Sequence, residues 1–311
     1  MRLVIFFRLL GRAFTGFRQN DPLRMAAATA FFATFALPAI LIILIQIFGW
    51  VVNPEELSDH LFAHLAPMLG KESVSQLRGT LQGFRKLAHN PYITIAGFLF
   101  LIFVATTLFK VIKDSLNQLW NIRPSSASGF KIGILRRGKS MLVILLAGLL
   151  FIAVIVAEAA QAILKDYINE QWSGYGSLIT IILNQLISVS VVTFWFAVLF
   201  KFLPDAHLSW RVALVGGLFT GILFTVGKLL LAWLLAKGNL NNIYGASGSF
   251  VLLLLFVFYV SFILYYGGVF TRAWAEQQKD PILPSRYAHQ YELADINESA
   301  AEKSSVLVAK D

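Results

Sequence analysis

Lys228 stands alone in GILFTVGKLLLAWLLAK, residues 221–237, an otherwise apolar run. An ammonium in hydrocarbon costs at least ~2.5–3.5 kcal/mol on insertion scales, so such a residue normally turns toward a bundle interior and meets a partner. The intramembrane candidates are few. Glu158 lies in one apolar run and Asn184 and Gln185 in another, with Gln46 and Gln161 near the ends of their runs. A lysine, a carboxylate and amides at one depth can recognise a ligand headgroup or relay protons. They can equally form a structural Lys–Glu pair, or the lysine can snorkel outward.

Other chemistry is thinly represented. His60 and His64 share a predicted helix face beside Asp59, a spacing that suits a metal. Leu61 stands where the HExxH pattern needs glutamate, which leaves a solvated face as the simpler reading. The chain has no cysteine, which excludes disulfides, thiolate nucleophiles and cysteine-ligated metals. No Ser–His–Asp arrangement, phosphate loop or paired-carboxylate site is evident. No enzyme activity, cofactor or metal is expected.

The elements that position these residues are long helices. Hydrophobic residues make up 57% of the 311 and charged residues 14%, against roughly 25% charge in soluble domains. Six runs are long enough to span a bilayer: 26–52, 92–112, 140–163, 178–203, 212–236 and 249–270. At ~1.5 Å per residue, about 20 residues cover ~30 Å of hydrocarbon. The runs are too long for barrel strands and do not alternate, so the expected fold is all-α and polytopic. Residues 21–275 form this six-span domain. Before it, Phe6, Leu10, Phe14 and Phe17 lie opposite Arg8 and Arg12, which predicts an interfacial amphipathic helix over 1–20.

The connection 53–91 opens with NPEEL, where Asn53 can cap and Pro54 can start a helix. Val74, Leu77, Leu81, Phe84 and Leu87 then form an apolar stripe. Two amphipathic helices on the outer face are expected there. Residues 276–311 read as a structureless cytoplasmic tail. Gly217 and Gly221 make a GxxxG suited to close helix packing, or to a hinge. NIYGASGS, residues 242–249, reads as a turn and cap, or as a helix N-terminus offered to an anionic group.

Charge placement sets the expected orientation. Nineteen of the 26 Lys and Arg residues fall on one side of the six-span arrangement, six fall on the other, and Lys228 lies within a span. That asymmetry predicts that both termini are cytoplasmic. Anionic lipid accounts for the net charge of +9, and nucleic acid is not needed as a partner. In the loop 113–139, Arg123, Arg136 and Arg137 are candidate lipid-headgroup contacts, or simply topogenic charge. Counted from the span ends, Glu158 lies ~27 Å and Lys228 ~24 Å from the cytoplasmic side, while Asn184 and Gln185 lie ~10 Å from the outer side. These four share the outer part of the membrane.

The sequence resembles the YihY/BrkB family of bacterial inner-membrane proteins over roughly residues 10–276. The resemblance rests on DPLRMAAATAFFATFALPAILI in the first span, NQLW after the second and FLPDAHLSWRVALVGG between the fourth and fifth. Lys228, IYGASGS and GGVFTRAWA complete it. It implies a six-helix inner-membrane protein, from a family linked to serum resistance and suspected of transport, of lipids among other molecules. Members were once labelled as a ribonuclease, and nothing in these residues supports that chemistry. Val269 stands where the family often carries glutamate. The leading functional expectation is a transporter or flippase-like protein for an amphipathic or anionic envelope molecule. The alternative is a structural or envelope-assembly factor with no transport activity.

Overall fold

The computed structural model describes residues 2–48, 53–69, 71–87, 91–125, 142, 145–146, 149–150, 152–153, 176–237, 248–286 and 288–291. The chain is an all-α polytopic membrane protein. Its helices are α1 (Arg2–Arg18), α2 (Pro22–Phe48), α3 (Pro54–Leu69), α4 (Lys71–Leu87), α5 (Pro91–Leu119), α6 (Gly176–Phe202), α7 (Trp210–Lys237) and α8 (Gly248–Gln277). Among the described residues four short strands accompany them: β1 (Ile122–Pro124), β2 (Ala206–His207), β3 (Leu283–Pro284) and β4 (Ala288–Gln290). Among the described residues, five helices are long and apolar enough to cross a membrane: α2, α5, α6, α7 and α8. The expected third span, 140–163, lies almost wholly outside the described residues, so five of the six predicted spans are seen.

The strands gather at one end of the bundle, called the strand end below. β1 pairs antiparallel with β4, placing Arg123 opposite His289. β2 pairs antiparallel with β3, placing Ala206 opposite Pro284. The chain after α8 is therefore folded back through residue 291. This corrects the expectation of a structureless tail from 276: the segment has little helical periodicity because its order comes from backbone pairing with distant loops. A Schellman motif closes α8, with Lys279 N–H donating to Glu276 O at 3.2 Å and Asp280 N–H to Ala275 O at 3.0 Å. Lys279 takes φ 56° at the position that glycine favours.

At the opposite end, the sequence-predicted cap is present. Asn53 Oδ1 accepts from Glu55 N–H at 3.0 Å, and its carbonyl accepts from Leu57 N–H at 2.9 Å. α3 and α4 form a hairpin that packs on α2 and α8. Leu57, Leu61, Phe62, Val74 and Leu77 are buried in it. Arg78 donates to Asp59 at 2.9 Å and lies over the Phe62 ring.

Helix α1 docks on α8 rather than lying free. Leu9, Ala13 and Phe17 are buried, with Phe17 in ring contact with Phe262 and Tyr266. Phe7 and Phe14 stay exposed. The apolar stripe expected over Phe6, Leu10, Phe14 and Phe17 covers an arc of only about 80° at 100° per residue, but the face that docks is centred on Leu9, Ala13 and Phe17 and is rotated from it, so Phe17 meets protein and Phe14 does not.

Helices α7 and α8 are antiparallel and locked by reciprocal small residues. Gly216 on α7 faces Thr271 on α8, and Thr220 on α7 faces Gly267 on α8. A Cβ at either glycine would overlap the facing threonine. Each threonine hydroxyl donates to the carbonyl of its own helix's glycine, at 2.8 Å for Thr220 and 2.6 Å for Thr271. Next to these threonines in the chain, Phe219 and Phe270 stack at 3.9 Å between centroids.

Candidate functional site: a buried polar clamp, a basic cleft and an intramembrane lysine

The strand end contains a buried polar cluster that the sequence reading did not single out. Lys113 and Asn117 lie one turn apart on α5 and so project on one face. Both meet Asp205 in the loop between α6 and α7. Lys113 Nζ lies 2.9 Å from Asp205 Oδ2, each side chain being 7% exposed. Asn117 Nδ2 donates to the same oxygen at 3.2 Å, and Asn117 Oδ1 accepts from Asp205 N–H at 2.9 Å. Asp205 O in turn accepts from Ser285 N–H at 2.9 Å. One aspartate therefore joins α5, the α6–α7 loop and the segment after α8. A buried pair holds well only with further hydrogen bonds around it, and here Asn117 bonds both the carboxylate and the backbone N–H of Asp205.

Neighbouring bonds extend the clamp. Trp120 Nε1 donates to Gly268 O at 2.9 Å, joining NQLW to GGVFTRAWA. Tyr265 is fully buried, with its hydroxyl 2.5 Å from Thr29 Oγ1 on α2 and also bonded to Ser115 on α5. Ser209 begins α7, accepting from Val212 N–H at 3.3 Å and bonding to Asp280 at 2.5 Å. The cluster holds five segments together and presents no activated nucleophile.

Lys113 is one of the nineteen Lys and Arg residues on the majority side of the charge asymmetry. It is buried there instead of solvated, because the apolar face of α5 continues past the predicted span end at 112 and carries Lys113 into the core. The only sequence signal was indirect: NQLW and LPD both contribute to the family resemblance, and the fold brings them into contact.

Beside the clamp, α1 and the last turns of α8 enclose a cleft of about 420 Å³, lined by Arg12, Gln19, Asn20, Asn121, Arg272 and Glu276 among others. Arg272 donates through Nε to Glu276 Oε1 at 2.9 Å. It donates through a terminal nitrogen to Leu119 O at 3.0 Å, at the negative end of α5. Arg12 makes no ion pair or hydrogen bond among the described residues. Val269, the position noted for its lack of glutamate, lines this cleft and approaches Gly16, where a Cβ would lie 3.4 Å from Val269 Cγ1.

Residues 13–290 match the family described as Virulence factor BrkB. The chain belongs to that family. Among its curated relatives, a UPF0761 membrane protein of Saccharophagus degradans is 24% identical over 278 residues, covering 87% of this chain and 60% of that protein. Another, from Teredinibacter turnerae, is 23% identical over 269 residues, covering 85% of this chain and 59% of that protein. A third, from Vibrio cholerae, is 24% identical over 225 residues, covering 72% of this chain and 71% of that protein. The chain thus spans about 60% of the length of the first two. No solved structure matches it.

The intramembrane residues of this BrkB-family chain are placed unevenly. Lys228 is half-buried on α7, and no ion pair or hydrogen bond reaches its side chain from the described residues. Gly217, Gly221 and Lys228 share one face of the helix. Gly217 meets Thr193 and Ala197 on α6, and Gly221 meets Thr193. Continuing antiparallel at equal rise sets Lys228 level with Gln185, which is exposed. Asn184 and Gln46 lie in α6 and α2, but their side chains are outside the described residues. Glu158 and Gln161 lie outside them altogether, as do Arg136, Arg137 and residues 242–247 of NIYGASGS. Arg123 is exposed on β1 with its guanidinium 5.3 Å from the Tyr291 ring centre. His60 is exposed on α3, and the His64 side chain is outside the described residues.

Proposed function

We propose that the protein moves an anionic, amphipathic envelope molecule of the lipid class across the membrane, with Lys228 as the positive charge that meets its headgroup. The observation that carries this reading is Lys228 itself, half-buried in a spanning helix on the stripe that faces α6, with no described acceptor. A protonated amine kept at that depth is costly, and an arriving anionic headgroup would offset the cost. Glu158 serves in this reading as the resting counter-charge and Asn184 and Gln185 as neutral neighbours.

In the same proposal the membrane is the bacterial inner membrane and the strand end is cytoplasmic. The positive-inside rule supports that choice, since Arg12, Arg18, Lys201, Arg211 and Arg286 all lie near the strand end. The cysteine-free chain makes the orientation simple to test. Single cysteines at Thr15 and at Gly79 should differ in labelling by an impermeant maleimide in intact cells, with only Gly79→Cys modified.

Transport is tested with purified protein in proteoliposomes, following a fluorescent anionic lipid and its zwitterionic counterpart. The native chain should accelerate movement of the anionic lipid. Lys228→Met should abolish that acceleration with abundance and melting temperature unchanged; full activity in this variant removes Lys228 from the mechanism. The second reading, a structural or assembly factor, draws on the interlocked Gly–Thr contacts of α7 and α8 and on the buried clamp. It predicts no lipid movement by the native chain and a lower abundance of Lys228→Met.

A further inference from the structure

The cleft between α1 and α8 is a separate candidate binding site, with its own charge ledger. Its charged groups are Arg12, Arg272 and Glu276. Arg272 is engaged locally by Glu276 and by the Leu119 carbonyl, so those two charges cancel and are held in place. Arg12 has no acceptor among the described residues, which leaves the cleft with a net positive charge carried by one planar, five-donor group. The Asn20 and Asn121 amides stand around it. Asn20 Nδ2 is already committed to Gly16 O at 2.8 Å, which fixes that side chain and the turn that carries it.

A guanidinium with free donors beside two amides, one of them fixed, suits the oxygens of a phosphate, to which arginine can offer two parallel N–H bonds. At about 420 Å³ the cleft is of a size with small-ligand sites and accommodates a headgroup rather than a whole lipid. Its position supplies the rest. Phe7 and Phe14 are exposed on the same helix as Arg12, so α1 offers apolar rings on one side while its arginine meets the cleft on another. A ligand whose phosphate enters the cleft can keep its acyl chains in the membrane.

We propose that this cleft binds a phosphate-bearing headgroup, with Arg12 as the residue that supplies the charge. The same chemistry would accept free phosphate. The two sources are separated by experiment, using purified full-length chain in a non-ionic detergent and a fluorescent short-chain phosphatidylglycerol read by anisotropy. Arg12→Gln should weaken binding by about tenfold or more, the loss of one charge-assisted contact. Val269→Glu, which sets a carboxylate into the cleft, should weaken it at least as much. Arg8→Gln, on the same helix but not lining the cleft, should bind within about twofold of native, as a local site rather than diffuse attraction requires. Lys228→Met should keep full affinity, because the site does not depend on the intramembrane lysine.

Displacement of the lipid by millimolar inorganic phosphate would assign the site to free phosphate. Retention of the lipid under those conditions would assign it to a headgroup anchored by its chains. Arg12 is exposed and its replacement should leave the melting temperature unchanged, so Arg12→Gln decides the matter even if Val269→Glu proves unstable. Equal affinity of native and Arg12→Gln chains, or an equal loss in Arg8→Gln, overturns the proposal.

Discussion

At the strand end, the Lys113 ammonium lies 2.9 Å from the Asp205 carboxylate, and both are buried. Along α7, Lys228 is half-buried with no acceptor among the described residues, and across the α6–α7 seam the buried Thr193 hydroxyl likewise has no described partner. The first region satisfies its polar groups with bonds that cross between segments. The second leaves polar groups open inside a spanning bundle. Polar groups that are buried and fully bonded hold a fold together, whereas open ones raise its energy and are retained where something else is gained. The contrast assigns architecture to the buried clamp, as distinct from the exposed cleft beside it, and sets both apart from the α6–α7 seam.

The sharpest way to break that contrast is at Asp205. Asp205→Ala removes the carboxylate that accepts from Lys113 and Asn117, and should destabilise the protein by about 3–5 kcal/mol. Thermal unfolding in detergent, followed by tryptophan fluorescence, measures this. The double replacement Lys113→Met with Asp205→Leu should cost less than Asp205→Ala alone, because no charge is then left without its partner. A double variant as unstable as the single one would mean that the clamp acts through hydrogen bonds to Asn117 and not through charge.

A smaller effect tests the interlock that joins the two regions. Gly216→Ala forces a methyl group into Thr271 and should cost about 1–3 kcal/mol by the same melt. Gly97→Ala, where nothing lies within 4 Å, is the matched control and should stabilise slightly. Equal effects at the two positions would remove the steric account. The smallest expected change is at the seam. Thr193→Val deletes a hydroxyl that lacks a partner and should raise stability by about 1 kcal/mol. A loss of stability would show that the hydroxyl is bonded in the folded protein.

Much of the helical plan was legible because burial in lipid writes itself into composition. The runs that became α2, α5, α6, α7 and α8 were readable, since each had to cover the bilayer with apolar side chains, although α5 and α8 each continue seven residues past the predicted span ends at 112 and 270. The cap at Asn53 was readable because its signal is local, a side chain bonding a backbone two residues on. The strands were not legible. β1 and β4 are separated by more than a hundred residues, and neither has a pattern of its own. The expected grouping of Lys228 with Glu158 came from depth alone, which fixes height in the membrane but not azimuth around the bundle.

The sequence by itself determined the membrane class, the spanning segments and the isolated position of Lys228, because each depends on hydropathy along one helix. Tertiary structure alone decided that Lys113 leaves the surface for Asp205, that Arg12 opens onto a cleft, and that the chain after α8 returns to the loops. Those outcomes depend on which faces of distant helices meet. A single helix cannot set that: its periodicity tells which residues share a face, while the partner for that face is chosen by packing against the rest of the chain.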